Sequence, residues 1–413
     1  MLILKQYNIM NTSKKPNISS QIPEGFELVY NNITERWALR PIEGFSKKYL
    51  TKNTFIPKPV VNKTCDNSDI KEPNDSKTKS NKNLTKAKRV KNDEFYTRLE
   101  DITNELKHYK GHFKGKVIYC PCDKLFNLNR SNFARYFIGK FHSLGIKKLI
   151  CTQYNPNGKG EIKIIDFQKH GFKWEYNGEY EDSFTIDESL IDTFMLNGDG
   201  SFDSIECKNI MKECDIVITN PPFSIFREFV NQILSFNKKF LIIGSQNAIT
   251  YKEIFPLIKN NEMWLGYNNP KIFEVPITKI ENEKIQFEDD NGIFYQKFGN
   301  ICWFTNLMHE KRYEPLYLKR KYDSEFYQKY DNYNAIDVSK VADIPMDYEG
   351  VMGVPITFLE KYCPTQFEIV DAREYTNIDK LKRKSTYLVK DKDSAINGKP
   401  TYARILIKKV TNI

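Results

Sequence analysis

No run of apolar residues in this chain approaches the ~20 that a membrane-spanning helix requires. The opening residues, Met-Leu-Ile-Leu-Lys-Gln-Tyr, offer too short an apolar run for a secretory signal. The 8 cysteines are scattered rather than spaced as a disulfide framework, and read as the reduced thiols of a cytoplasmic protein. Cys120 and Cys122 form a lone Cys-x-Cys with no second pair at zinc spacing, so no metal site is expected. No internal repeat is evident, which argues against solenoids and propellers. With 413 residues there is enough chain for two domains, or for one large domain with appendages. The formal net charge of +10 favours a polyanionic partner.

The most informative stretch runs from Asp215 to Phe236. Ile216, Val217, Ile218 and Thr219 form a β-branched run long enough for one buried strand. Asn220-Pro221-Pro222-Phe223 breaks it, because each proline fixes φ, lacks an N–H and biases the preceding residue away from helix. Ser224 is placed to cap a new helix, along which Phe226, Phe229, Val230, Ile233 and Leu234 recur on one face. A rigid loop at the carboxyl end of a buried strand is where open α/β sheets bind ligands.

Asn220 supplies a side-chain carbonyl, Pro221 a main-chain carbonyl and Phe223 a flat apolar face. Two acceptors and a ring suit a planar group bearing an NH2, such as adenine. That amine is a poor nucleophile because its lone pair is shared with the ring. Acceptors on its hydrogens localise the pair and tolerate the positive charge that develops during attack. Stacking on Phe223 would hold a base flipped out of a duplex. The plain alternative is a strand-to-helix turn that merely uses prolines.

Elsewhere the chain alternates between strand and helix signals. Residues 25–63 hold enough apolar side chains, Trp37 among them, for a small module of a few strands. Residues 67–92 are polar and, in their second half, basic, and read as a disordered linker. Thr97-x-x-Glu100 is a capping-box pattern ahead of Leu99, Ile102, Leu106 and Tyr109, with Gly111 as the stop. Val117–Cys120 is a strand. Ser131 can cap a helix carrying Phe133, Phe137, Phe141 and Leu144, and Lys148–Thr152 is a second strand. This β-α-β unit implies parallel pairing. Residues 161–185 suggest a peripheral hairpin, Asn197-Gly198-Asp199-Gly200 a turn, and Phe240–Gly244, Met263–Gly266 and Ile301–Phe304 further strands. The acidic segment Glu281 to Asp290 reads as a surface insertion, and Val351–Leu359 as the clearest ordered part of the remainder.

Asp93-Glu94-Phe95-Tyr96-Thr97, Tyr119-Cys120-Pro121-Cys122-Asp123, Ser131-Asn132-Phe133, Gly198-Asp199-Gly200 and Asp215 to Ser224 occur in the order of the EcoRI-type adenine-specific DNA methyltransferases, as do Trp303–Asn306 and Gly353–Thr357. The sequence resembles that family over roughly residues 91–370. The resemblance implies an α/β, Rossmann-like methyltransferase with a mostly parallel seven-stranded sheet. It implies S-adenosylmethionine as cofactor, double-stranded DNA as partner, and a place in a restriction–modification pair. Carried over, Asn220, Pro221, Pro222 and Phe223 hold the target adenine. Phe95, Tyr96 and Thr97 pack on the methionine end of the cofactor. Cys120 and Asp123 belong to the first cofactor loop, and Asp199 contacts the cofactor's adenine. The chain departs from the broad methylase pattern in two places. Cys120-Pro121-Cys122 stands where that loop usually has glycines, and Thr152-Gln153-Tyr154-Asn155 has no carboxylate for the ribose.

The expected organisation is a small N-terminal module over 1–66, a linker over 67–92, the catalytic domain over 93–306 and a C-terminal target-recognition region over 307–413. A cytoplasmic monomer or weak dimer is expected. Other readings are a methylase of RNA or of protein glutamine, which presents the same NH2 geometry, and a non-catalytic DNA-binding relative. Asp123 and Asp199 could also be simple turn residues, and Phe95 and Tyr96 core aromatics.

Overall fold

A computed structural model of the chain describes residues 26–31, 36–41, 95–123, 131–166, 191–275, 287–289, 292–372 and 395–410. The chain divides into two units, Met1–Asn81 and Lys82–Ile413. The expected linker over 67–92 lies outside the described residues, as does most of the N-terminal module. In the first unit β1 (Phe26–Asn31) and β2 (Arg36–Pro41) pair antiparallel, with Tyr30 opposite Trp37.

The second unit begins with β3 (Tyr96–Thr97), α1 (Leu99–Leu106), β4 (Val117–Pro121), α2 (Asn132–Lys140) and β5 (Lys148–Gln153). It continues through β6 (Glu161–Asp166), β7 (Asp192–Met195), α3 (Ile205–Glu213), β8 (Ile216–Thr219), α4 (Phe226–Ser235) and β9 (Lys239–Ser245). After α5 (Phe255–Lys259) come β10 (Trp264–Leu265), β11 (Ile272–Glu274), β12 (Phe287–Glu288), β13 (Phe294–Lys297) and β14 (Ile301–Thr305). These strands build an eight-stranded sheet in the order β10-β14-β9-β8-β4-β5-β6-β7. Its centre, β9-β8-β4-β5, is parallel. Both flanks are antiparallel.

The sheet is therefore mixed and eight-stranded among the described residues, not mostly parallel and seven-stranded. The difference lies partly in residues 161–166, expected in a peripheral hairpin. Ile162, Ile164 and Ile165 are buried, and a short return after β5 lets this segment pair antiparallel with β5, inside the edge strand β7. Residues 167–185 of that expected hairpin lie outside the described part.

Alternation along the strands sends side chains to two faces. Ile118, Cys120, Ile216, Ile218, Leu241, Ile243 and Trp303 join one core with Ile102, Leu106, Phe133 and Phe137 of α1 and α2. On the opposite face Phe226 of α4 packs on Phe304, ring centroids 5.0 Å apart. Gly244 makes room for that ring, since a Cβ there would come within 2.4 Å of it.

Helix ends differ in part from the sequence signals. Ser131 caps α2 as expected, accepting from Phe133 N at 3.2 Å. Ser224 does not cap α4: it lies exposed in a 3-10 turn over Phe223–Ile225, and the helix starts at Phe226 with no side-chain cap. The capping box at Thr97 does not form either, because Thr97 belongs to β3 and Arg98 takes the N-cap position. α1 also ends at Leu106, and Tyr109 and Gly111 fall in a 3-10 turn over Lys107–His112.

A second, four-stranded sheet has the order β12-β13-β11-β3, so the segment after β10 folds back onto Tyr96–Thr97. Residues 276–286 and 290–291 of the expected acidic insertion lie outside the description. The C-terminal part carries β15 (Ile336–Asp337), β16 (Met352–Val354), β17 (Phe367–Ile369), a hairpin of β18 (Ala395–Ile396) and β19 (Lys399–Pro400), and β20 (Ile405–Lys409). β15, β16, β20 and β17 make a sheet of their own. No helix among the described residues is long and apolar enough to cross a membrane.

Candidate active site

The chain leaves β4 toward β5 on one side and later returns to β8 on the other. The carboxyl ends of β4 and β8 thus border the point where strand order reverses, the usual ligand crevice of open α/β sheets. Asn220-Pro221-Pro222-Phe223 starts there, directly after the fully buried Thr219. Pro221 and Pro222 are buried, while Asn220 and Phe223 are half-buried. Phe223 and Phe95 both pack, partly buried, against the main core.

The Asn220 amide is oriented by its donors. Nδ2 donates to Phe95 O at 2.8 Å and to Thr97 Oγ1 at 3.2 Å. Phe95 O can only accept, so the amide cannot be turned the other way. Oδ1 is left as an acceptor with no hydrogen bond from the described residues. This brings the two sequence-derived groups together: Phe95 and Thr97 grip the residue expected to act on the target. Tyr96, between them, is 45% exposed.

Asp123 follows β4 and is turned inward. One carboxyl oxygen receives a short hydrogen bond from Ser131 Oγ. The other lies 2.9 Å from Thr219 Oγ1, which is also 2.5 Å from Pro121 O. The Thr219 hydroxyl has one hydrogen and Pro121 O has none, so both contacts are satisfied only when Asp123 carries a proton. Burial acts in the same direction: it outweighs the bonds from Ser131 and Thr219 and pushes the Asp123 carboxyl up to about 7.

Cys120 and Cys122 point to different roles. Cys120 is fully buried in the core, where burial raises its thiol well above the usual range, so only its backbone faces the loop. Cys122 has a φ of 69°, the left-handed conformation that favours glycine. The loop thus bends as a glycine would bend it, without a glycine.

Asp199 lies half-buried in the turn after β7, and no hydrogen bond among those described links it to Asn220, Phe95 or Thr97. Its Oδ1 accepts from Ser201 N at 2.9 Å. The turn packs on the end of β5: Asn155 N donates to Asp199 O at 2.7 Å, and Gly200, at φ 78°, sits where a Cβ would lie 2.5 Å from Gln153 O. Glu206 of α3 fixes the turn by accepting from Asn197 N and Gly198 N at 2.7 and 3.0 Å. The sequence reading missed Glu206, Thr219 and Asn132 as parts of this architecture. Asn132 and Thr219 lay inside quoted motifs and Glu206 did not, but none carries a local signal of its distant partner.

The described arrangement presents a fixed amide acceptor beside an aromatic ring at a sheet crevice, the constellation of an amino-group methyltransferase. A profile described as "Adenine-specific methyltransferase EcoRI" matches residues 83–410. The chain is 45% identical over 334 residues to the type II methyltransferase M.EcoRI of Escherichia coli, covering 80% of this chain and 97% of that one. It is 38% identical over 341 residues to the type II methyltransferase M.MpnI of Mycoplasma pneumoniae, covering 80% and 99%. No solved structure matches. The chain belongs to the EcoRI family of adenine-specific methyltransferases.

Proposed function

We infer that the protein transfers a methyl group from S-adenosylmethionine to the 6-amino group of adenine in double-stranded DNA, through the Asn220-Pro221-Pro222-Phe223 loop. The activity is that of a type II adenine-specific DNA methyltransferase of a restriction–modification system. The mixed α/β sheet is read as a Rossmann-like methyltransferase fold. The observation that supports the site most is the Asn220 amide, whose two donor bonds leave Oδ1 as an acceptor with no hydrogen bond from the described residues.

Asn220 Oδ1 and the Pro221 carbonyl would take the two hydrogens of the adenine amine. Both acceptors are fixed before substrate arrives, so little reorganisation is needed as charge develops. Phe223 would hold the flipped base by stacking. Positioning and acceptor electrostatics suffice, and no strong general base is required.

The donor set at the neighbouring strand ends fits the cofactor. Asp199 keeps one carboxylate oxygen without a hydrogen bond from the described residues, suited to a purine amine. Phe95 and Tyr96 offer ring surface for an aliphatic chain, buried Thr97 would act there through the segment it holds, and Asp123 lines the loop with the backbone of Cys120. S-adenosylmethionine, when bound, supplies an electrophilic methyl group. Target recognition is assigned to residues 268–298 and 307–413, with double-stranded DNA as partner. A cytoplasmic monomer or weak dimer completes the reading.

DNA from cells expressing the protein, sequenced for N6-methyladenine, tests it. The expected result is methylation confined to one short sequence. Methyl groups found only on RNA or on protein amides would contradict it.

A further inference from the structure

The N-terminus of α2 touches the target loop along two separate routes. Ser131 bonds Asp123, which bonds Thr219, the residue before Asn220. The next residue, Asn132, is 6% exposed. Its Nδ2 donates to Thr97 O and to Glu274 Oε1, both at 2.8 Å, and its Oδ1 accepts from Arg135 at 3.1 Å. Thr97 O can only accept, so the orientation of this amide is also fixed. Thr97 is a junction: its backbone lies opposite Phe273 in β11, its carbonyl serves Asn132, and its hydroxyl serves Asn220. Glu274 lies opposite Tyr96 in the same register.

We propose that Asn132 is a positioning residue for methyl transfer, tying the N-terminus of α2 to Glu274 and Thr97 on the paired strands β11 and β3 and, through Thr97, to the Asn220 acceptor. The orientation of Asn220 then depends on where those strands sit. This rests on the function proposed above. Asn132 touches neither adenine nor cofactor; it acts only through Thr97. Neither helix propensity nor core packing calls for an asparagine at this buried position, which a small apolar residue would fill. Its fork of two donors fits two acceptors from different elements.

The test uses the full-length protein with 15N-labelled asparagine, the Asn220 side-chain amide doublet being assigned by its loss in Asn220→Ala. In Asn132→Ala the doublet should move, and the single-turnover methylation rate should fall about 10- to 100-fold. Affinities for duplex and cofactor should stay within about twofold, as a positional effect on the chemical step requires. Glu274→Ala should move the doublet in the same direction, and Glu274→Gln, which keeps a carbonyl for Asn132, should move it less. An Asn220 doublet that stays in place in both Asn132→Ala and Glu274→Ala overturns the proposal. If Asn132→Ala does not fold, the two Glu274 variants decide it. The doublet is read without any reaction, so a wild-type protein that failed to methylate adenine would sink the functional reading and leave this result standing.

Discussion

Asp123 is a carboxyl whose surroundings favour the neutral form. Its folded value of about 7 lies above the roughly 3.9 of an unfolded chain. Between those values the native state holds a proton that the unfolded state has released. The contribution of Asp123 to stability therefore falls as pH rises from about 4 to about 7, by on the order of a few kcal/mol, and is flat above. Asp123→Asn keeps an acceptor for Ser131 and a donor for Thr219 but cannot ionise. Its stability relative to wild type should improve from pH 5 to pH 8 in urea unfolding; a constant difference would contradict the buried neutral carboxyl. Cys122 gives a second residue-scale test. A left-handed non-glycine residue carries roughly 1–2 kcal/mol of strain. Cys122→Gly should thus stabilise by about 1 kcal/mol, and Cys122→Val should destabilise.

Elements show how much was legible in the sequence. β4, β5, β8, β9 and β14 were read from short apolar runs to within a residue or two, because each is buried on both faces and so unbroken by polar residues. The Ser131 cap was equally visible, being a local bond. Thr97 misled, since its hydroxyl serves Asn220, 123 residues away, rather than the next helix. The loop residues Asn220 to Phe223 were legible from chemistry alone, whereas the groups that aim them come from distant strands. Glu105 is the clearest case of such hidden contact. It sits fully buried on α1, accepting from Tyr267 N and Asn268 N at 2.7 Å and from Tyr109 Oη at 2.8 Å. Those bonds fasten α1 to the start of the 268–298 segment. Glu105→Ala leaves two backbone donors without partners, and should cost about 3 kcal/mol in urea unfolding. A loss below about 1 kcal/mol would mean that the segment is held elsewhere.

At the scale of the molecule, the chain divides into two units, Met1–Asn81 and Lys82–Ile413. A protein starting at Asn92 should fold and methylate, with weaker non-specific binding to DNA at low salt, since cationic side chains are removed. Loss of activity in the shortened chain would place the N-terminal module within the catalytic unit. Charge also sets the expected salt response, with duplex affinity falling steeply as salt rises.

The loop itself gives the most direct measurement: single-turnover methylation of a duplex by Asn220→Ala and Phe223→Ala. Removing one polar stabiliser of the transition state typically lowers the rate about 10²–10³-fold. Asn220→Ala should show that loss with duplex and cofactor affinity retained. Phe223→Ala should instead weaken retention of the flipped base by roughly 1–3 kcal/mol, reported by a fluorescent adenine analogue at the target. Phe223→Tyr, which keeps the ring, should remain close to wild type in that signal. An Asn220→Ala enzyme that methylates at the wild-type single-turnover rate would contradict the assignment of this loop as the catalytic centre.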